Sequence, residues 1–223
     1  SKQFYMLNFM KIIIRQANFH DIPQLLRLEE SWPEGERATV EQLESRLTIY
    51  PEGYFVGSFS SAPDYIIAAF ASSPISYTPD DMSQFTSWEE ATNDGCYHPN
   101  CNKIPSDTLY LAASCVDIKH RGGTVYLDFM NQVLDSLKSR GVSLVISGNV
   151  LPGYDRYCKK NGEISAVDYV FKTHKNHPID PFLKLLYQLG FVVPNEQHVI
   201  KDYYEDAPSR HYSTIIINDL SKR

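Results

Sequence analysis

Clusters of basic residues are missing from this sequence, although 21 of its 223 residues are Lys or Arg. The formal net charge is -6 and the sequence pI is about 5.6. A protein that binds nucleic acid usually carries a basic face or tail that neutralises phosphates. We therefore expect no nucleic-acid partner, and the mild acidity weakly favours a cationic small substrate or a basic peptide.

Long apolar runs are missing as well. No stretch approaches the ~18 residues that a membrane-spanning helix needs. Residues 1–10 also lack the basic, apolar and small-residue regions of a secretory signal peptide. The sequence therefore predicts neither a membrane partner nor a signal peptide.

Cysteine is scarce, with four residues in the chain. So few cysteines imply no disulfide framework, and we predict a reducing, cytoplasmic location. Cys96, His98 and Cys101 lie close together, but a structural zinc site needs four ligands and no second Cys/His pair is nearby. We therefore expect no bound metal.

Hydrophobic residues make up 43% of the chain, which suits one globular domain over residues 1–223. Between about residues 72 and 106 the sequence is rich in Pro, Asp, Ser, Asn and Thr. That stretch lacks periodicity, apart from a short helical turn at 88–91. We predict a long loop insertion there, and loops of this length are usually functional or mobile.

Helix signals are clearest at two places. Thr39 followed by Gln42 predicts a capping box, and Val40, Leu43 and Leu47 form the apolar stripe of the helix that follows. A later helix is predicted to begin after Asp180, with an expected buried face of Phe182, Leu185, Leu186 and Leu189.

Strands are predicted from short runs rich in β-branched and aromatic residues. The predicted strands are 11–15, 54–59, 65–70, 108–116, 143–146, 191–193, 197–201 and 212–217. A glycine-containing turn and an amphipathic helix from Val125 to about Gly141 connect the strands 108–116 and 143–146. Strand, turn, helix and strand in this order predict a βαβ unit.

The turn within the βαβ unit has the composition of an anion site. Backbone N–H groups in the first turn of a helix have no intrahelical partner, and the helix dipole adds positive charge. The segment 120–124, His-Arg-Gly-Gly-Thr, joins glycines that allow close approach to a guanidinium. We interpret it as a pyrophosphate cradle; the alternative is a tight turn with a surface arginine.

The segment from Val116 to Tyr126 resembles the acyl-CoA signature of the GNAT superfamily, Val-x-Pro-x-x-Arg/Gln-x-x-Gly-x-Gly/Ala. Arg121 falls on the Arg/Gln position. Thr124 replaces the first consensus glycine, and Tyr126 replaces the final Gly/Ala, where its bulk can alter how CoA binds.

The resemblance extends through nearly the whole chain and is closest to GNAT domains that some bacterial proteins fuse to a nitrilase-like hydrolase. The chain is expected to supply the GNAT part alone. The stretches that carry this wider resemblance are 32–37, 87–90, 93–95, 151–154, 180–183, 190–191, 203–206 and 209–212.

Resemblance to this superfamily implies an α/β fold with a mixed, mostly antiparallel central sheet flanked by helices. The strands 108–116 and 143–146 would splay apart to admit the pantetheine arm, with the acyl carbonyl near Cys115 and Val116 and the amine on the opposite side. The cofactor-binding residues implied in this way are Cys115, Val116, Ile118, Arg121, Gly122, Gly123, Thr124, Val125 and Tyr126.

The implied activity is N-acetyl transfer from acetyl-CoA to a primary amine of a small molecule or peptide, by direct attack in a ternary complex. Two alternatives stay open. Thr124, Tyr126 and Leu186 favour a GNAT-fold protein that binds CoA with little or no turnover, and the same turn could serve a different enzyme class with another phosphate ligand. A homodimer is one arrangement that the sequence leaves open.

Candidate catalytic groups also follow from the resemblance. Many GNAT enzymes place the tyrosine that protonates the thiolate where this sequence has Leu186, so Tyr187 is the nearest candidate. Asp107 and Asp117 flank the signature strand and are candidates for the general base. Three tyrosines on matching stretches are expected to line the amine pocket, namely Tyr154, Tyr204 and Tyr212.

Overall fold

A computed structural model of the chain describes residues 11–223. Residues 1–10, in which the sequence predicts no signal peptide, lie outside the described residues. The helices of the described part are α1 (Ile22–Glu29), α2 (Val40–Ile49), α3 (Trp88–Thr92), α4 (Val125–Ser139), α5 (Tyr154–Asn161), α6 (Ala166–Phe171) and α7 (Pro181–Gln188).

One large sheet organises these helices. Its strands lie in the order β1-β2-β3-β4-β5-β10-β8, with β9 paired to β10, while β6 and β7 form a separate pair. β4 and β5 are parallel, and the other strand pairs of the sheet are antiparallel. The strands are β1 (Ile12–Gln16), β2 (Tyr54–Phe59), β3 (Ile66–Pro74), β4 (Thr108–Val116), β5 (Leu144–Val150), β6 (Thr173–His174), β7 (His177–Pro178), β8 (Phe191–Val192), β9 (Val199–Lys201) and β10 (Tyr212–Asp219).

This arrangement confirms the predicted mixed, mostly antiparallel sheet and the predicted βαβ unit, which is β4-α4-β5. The capping box at the start of α2 is also confirmed: the Thr39 hydroxyl accepts from the Gln42 amide, and the Gln42 side chain accepts from the Thr39 amide. Asp180 caps α7 by accepting from the amides of Phe182 and Leu183. Local sequence therefore sets these helix starts.

The predicted apolar stripes are only partly correct. Val40 is 46% exposed, because it lies in the first turn of α2 and precedes the part of the helix that packs on the sheet. In α7, Phe182 and Leu185 are half-buried and Leu183 takes the buried place. A helix advances about 100° per residue, so the row that meets the sheet is Leu183, Leu186 and Leu189.

Helix α5 was not predicted, because residues 151–169 are polar and lack a sustained apolar period. Tyr154 and Cys158 are its buried residues, one turn apart. A tertiary contact therefore stabilises a segment whose own composition does not predict a helix. The sheet is also longer than expected here, since β5 continues to Val150.

The two faces of the sheet carry different layers. We call one the α4 face: it packs against α4 and α7, and Leu109 and Leu111 of β4 point into it. We call the other the insertion face: α1 and α2 cover one half of it, and the segment 75–107 covers the half that includes Tyr110 and Ala112. Alternate residues of β4 thus belong to opposite layers.

The insertion begins after β3 and runs over residues 75–107, slightly later than predicted. Side chains of α2 hold it at three successive carbonyl groups. The amide of Gln42 donates to Asp94 O at 2.6 Å, and the guanidinium of Arg46, which is 2% exposed, donates to Gly95 O at 2.7 Å. The Ser45 hydroxyl donates to Cys96 O. The insertion is therefore anchored to the body of the protein along this stretch.

Strands β4 and β5 separate soon after they meet. They pair only from Thr108 to Tyr110 on β4 and from Leu144 to Ile146 on β5. β4 nevertheless continues to Val116 and β5 to Val150. We call the gap between the unpaired parts the wedge; it lies where the sequence resemblance placed the splayed strands.

Candidate functional site

The turn that follows β4 is fixed by a buried aspartate. Asp117 is 4% exposed, accepts from the Lys119 amide at 3.0 Å and forms an ion pair of 2.6 Å with Arg27 of α1. Burial of the carboxyl tends to raise its pKa, but the Lys119 hydrogen bond and the Arg27 guanidinium outweigh this and lower the pKa. Asp117 is therefore ionised, and its carboxylate oxygens already bind the Lys119 amide and Arg27, which makes it a poor general base.

The segment between this turn and α4 leaves its amides unused. Within residues 11–223, the amides of residues 122–126 donate no hydrogen bond to another described residue. A side chain added at Gly122 would meet nothing within 4 Å, and one at Gly123 would meet only His120 O, at 4.0 Å. The space around Gly122 and Gly123 is therefore open, as an anion site at a helix start requires.

The other signature residues surround this opening in different ways. Ile118 is 61% exposed, whereas Cys115, Val116 and Val125 are buried. Thr124 precedes α4 without a capping bond from its side chain. The exposed guanidinium of Arg121 donates to Ser31 O, so in this structure its side chain lies toward the end of α1.

Tyr126 projects from the first turn of α4 to β4. Its hydroxyl lies 2.9 Å from Ser114 Oγ, beyond the paired part of β4. Burial raises the pKa of Tyr126 to about 12, so the hydroxyl is neutral near pH 7 and can donate a hydrogen bond. The residue that departs from the signature thus brings a hydroxyl to the edge of the wedge.

The structure does not bring the predicted catalytic residues together. Asp107 is exposed and precedes the paired end of β4, ~26 Å along the strand from Cys115 at about 3.3 Å per residue. Tyr187 is half-buried, and its hydroxyl accepts from the Val193 amide at 3.2 Å. Asp107 is therefore remote from the predicted acyl position, and Tyr187 already has a hydrogen-bond partner.

The three tyrosines predicted to line the amine pocket lie on opposite faces of the sheet. Tyr154 and Tyr212 pack together on the α4 face, with ring centroids 6.0 Å apart. Tyr204 is on the insertion face, where its hydroxyl donates to Gly148 O at 3.4 Å. The three residues do not form one pocket, and Tyr204 alone reaches β5 within the wedge.

Tyr204 belongs to a group of hydroxyls that sequence reasoning missed. The hydroxyls of Tyr110 and Tyr203 are 2.6 Å apart, and the Gly148 amide donates to Tyr110 at 3.3 Å. Burial raises the pKa of Tyr110 to about 12. No local signal in a chain with 15 tyrosines singles these out, because 93 positions separate Tyr110 from Tyr203.

Glu29 is a second residue that the prediction missed. It ends α1, is 7% exposed and accepts from the Ala38 amide at 2.8 Å. Burial raises the pKa of its carboxyl above the ordinary value, and the Ala38 hydrogen bond and Arg46 offset only part of this. Helical spacing from buried Leu25 was the available signal, since residues four apart share a helix face.

Glu29 lies on the same side of the sheet as Cys115. Cys115 packs with α1 and α2 in the core of the insertion face. Burial, and the charge of Glu29, raise the pKa of the Cys115 thiol to about 12, so it is not a ready nucleophile. The site therefore holds one buried carboxylate near the end of β4 that has no salt-bridge partner among the described residues.

Residues 11–223 hold no group of metal ligands, no helix that could span a membrane and no disulfide. No group of three or more His, Cys, Asp or Glu residues between positions 11 and 223 is placed to hold a metal ion. None of the helices in that range is long and apolar enough to cross a membrane. The four cysteines are unpaired.

Known proteins resemble the chain in both sequence and fold. No protein-family model matches it. A curated relative, the uncharacterized N-acetyltransferase YkwB of Bacillus subtilis (strain 168), is 25% identical over 226 residues, covering 96% of this chain and 93% of the relative. The sequence likeness thus extends over nearly the full length of both proteins.

Solved structures decide the fold. The loading GNATL domain of CurA from Lyngbya majuscula superposes with a TM-score of 0.78 at 16% identity, covering 96% of this chain and 100% of that one. The GphF GNAT-like decarboxylase in complex with isobutyryl-CoA gives 0.74 at 25% identity, covering 93% and 99%. The chain has the GNAT fold. These likenesses support the GNAT superfamily that the signature predicted, whereas the link to nitrilase-fused domains stays a prediction.

The Asp117–Arg27 pair of this GNAT fold gives a stability prediction. Because the folded state lowers the pKa of Asp117, its contribution is present at neutral pH and is lost as pH falls below about 4 through the folded-state pKa. We expect Asp117→Asn to lower the free energy of unfolding by about 1–3 kcal/mol at pH 7, and by less at pH 3. Urea unfolding at both values measures this.

The matched control is Asp107→Asn. Asp107 is exposed and directly precedes β4, the strand that Asp117 directly follows. It should change the free energy of unfolding by less than about 0.5 kcal/mol at either pH. Equal losses for Asp117→Asn at pH 7 and pH 3 would contradict the ionic role of Asp117.

Proposed function

We propose that this protein is an acyl-CoA-dependent N-acyltransferase that passes an acetyl group to a primary amine. The observation that carries the proposal is the row of unused amides at residues 122–126, together with the open space around Gly122 and Gly123. A diphosphate is the ligand that such a helix start suits, and an extended pantetheine arm suits the gap between β4 and β5. Binding of isobutyryl-CoA by the related GphF decarboxylase agrees with an acyl-CoA ligand.

In the proposed reaction, the amine approaches the thioester from the insertion face near Cys115. Its nitrogen attacks the carbonyl carbon, Glu29 removes the ammonium proton, and the carbon–sulfur bond then breaks with its electrons passing to sulfur. The thiolate takes up one proton, which balances the proton that Glu29 removed, and leaves as CoA. Tyr126, neutral at the wedge edge, is the first hydroxyl proposed to stabilise that thiolate. Tyr187 is the second, because its hydroxyl only accepts from Val193 and can still donate its own proton.

The cradle is tested best at Gly123. Gly122 has φ of +80°, so any side chain there strains the backbone, whereas Gly123 has no such restriction. We expect Gly123→Val to weaken acetyl-CoA binding about tenfold or more, worth about 1.4 kcal/mol or more, because the side chain fills the space of the diphosphate. Isothermal titration calorimetry measures the dissociation constant.

Gly35→Val is the matched control, since Gly35 also has open space and no positive φ. It should leave the dissociation constant unchanged. Wild-type protein that does not bind acetyl-CoA would overturn the proposal and leave the class that uses another phosphate ligand. An unchanged dissociation constant for Gly123→Val would overturn the cradle.

The proposed base gives a second prediction. Because burial raises the pKa of Glu29, kcat should fall as pH drops through that raised value, which lies above the ordinary one of about 4.3. We expect Glu29→Gln to lower kcat ~100-fold or more and to remove this limb of the pH profile, with KM for acetyl-CoA little changed. Exposed Glu30→Gln is the control; a retained limb in Glu29→Gln would exclude Glu29 as the base.

A second candidate is decarboxylation of an acyl-CoA that carries a carboxylate next to its α-carbon. Likeness to the GphF decarboxylase at a TM-score of 0.74 favours it. So does the insertion face, where Trp88 and a group of neutral tyrosines cover the wedge on the side where an amine would enter. In that reaction the bond from the α-carbon to the carboxyl carbon breaks, CO₂ leaves, and an enolate forms that hydroxyl donors can stabilise before the α-carbon takes a proton.

Two assays separate the candidates. Malonyl-CoA without an amine should yield acetyl-CoA and CO₂ if the protein is a decarboxylase, as mass spectrometry would detect. Acetyl-CoA with a panel of amines should yield free thiol and acylated amine if it is a transferase. Binding of CoA with no product in either assay would favour the CoA-binding protein without turnover.

A further inference from the structure

Trp88, the first residue of α3, bridges the two sides of the wedge on the insertion face. Its indole N–H donates to Ala112 O at 2.9 Å, and its backbone amide donates to Tyr203 O at 3.3 Å. Ala112 belongs to β4, whereas Tyr203 packs over β5, where a side chain added at Gly148 would lie 2.2 Å from its ring. One residue of the insertion therefore contacts β4 directly and β5 through Tyr203.

The contact with β4 falls at an irregular point of that strand. Ala71 pairs with Ala113 and Ser72 pairs with Leu111, so Ala112 has no partner on β3. Ala112 also lies beyond Tyr110, the last residue of β4 that pairs with β5. The indole thus satisfies a carbonyl group of a residue that the sheet leaves without a strand partner.

The position of Trp88 is fixed by its surroundings. The anchoring of residues 94–96 to α2 holds the insertion next to it. Gly95 has φ of +74°, and a side chain there would lie 2.9 Å from Trp88 Cη2. Ser87 caps the start of α3 by accepting from the Glu90 amide at 3.1 Å. The indole is half-buried and held from several directions.

We propose that Trp88 determines which acyl acceptor reaches the thioester, by admitting small amines and excluding bulky ones and bulk water. This inference rests on the proposed binding of an acyl-CoA in the wedge. Without the indole, water can attack the thioester carbonyl: a carbon–oxygen bond forms, the carbon–sulfur bond breaks, and acetate, the protonated thiol and one proton are released. Exclusion of water by a closed site protects such an activated group.

The test is acceptor-free release of thiol from acetyl-CoA. We expect Trp88→Ala to raise this hydrolysis about tenfold or more, because a cavity opens on the insertion face of the wedge and admits water, and to extend the amine panel toward bulkier acceptors. Trp88→Phe keeps most of the ring and should stay near wild type. Trp88→Leu serves if Trp88→Ala does not fold, and should give an intermediate rise.

Each variant is first titrated with acetyl-CoA, so that a failure of the proposed acyl-CoA function can be distinguished from a failure of the proposed role of Trp88. Wild-type protein that does not bind acetyl-CoA overturns the proposed function and this inference with it. Normal binding by Trp88→Ala or Trp88→Leu, with unchanged hydrolysis and an unchanged amine range, overturns the role of Trp88 alone.

Tryptophan fluorescence tests the position of Trp88 in a protein that keeps its indole. The chain has two tryptophans, so Trp32→Phe leaves Trp88 as the single indole. We expect acetyl-CoA to change the emission of Trp88 in a saturable way, at the dissociation constant that calorimetry gives for the Trp32→Phe variant itself, because Trp32 hydrogen-bonds to Cys115 at the proposed acyl position. Constant emission during saturating binding would place the thioester away from Trp88 and overturn the inference.

Discussion

The separation of β4 from β5 after three residue pairs is the constraint on which the rest of the site depends. Strands that diverge leave backbone N–H and C=O groups that need other partners. In this chain side chains supply several of them: Ser147 donates to Leu111 O, Trp88 to Ala112 O, and Tyr110 accepts from the Gly148 amide. Trp88 and Tyr110 give this support on the insertion face.

The same divergence places the cradle next to the wedge. β4 leads through a turn fixed by Asp117 directly into α4, so the unused amides of residues 122–126 lie at the end of the diverging strand. A ligand that spans both features must combine an anionic group with an extended arm. This continuity connects the proposed acyl-CoA function to the backbone itself, more than to any one side chain.

Features that depend on neighbouring residues could be predicted from the sequence. The capping box of Thr39 and Gln42, the strand 108–116 and the helix from Val125 were all predicted, because caps and periodicity act within a few residues. The signature around Arg121 to Thr124 likewise belongs to one turn. Helix α5 and the buried residues of α7 were harder to predict from the sequence, because contacts with the rest of the fold decide which residues are helical and which are buried.

The sequence by itself determined the βαβ unit and the composition of its turn, since both arise from contiguous residues. Only the tertiary structure decided which side chains meet at the wedge. It placed Asp107 at the far end of β4 and brought Glu29, Trp88 and Tyr203 toward the strands from three distant segments. The physical reason is that such contacts join residues tens of positions apart, and no local pattern encodes the packing that brings them together.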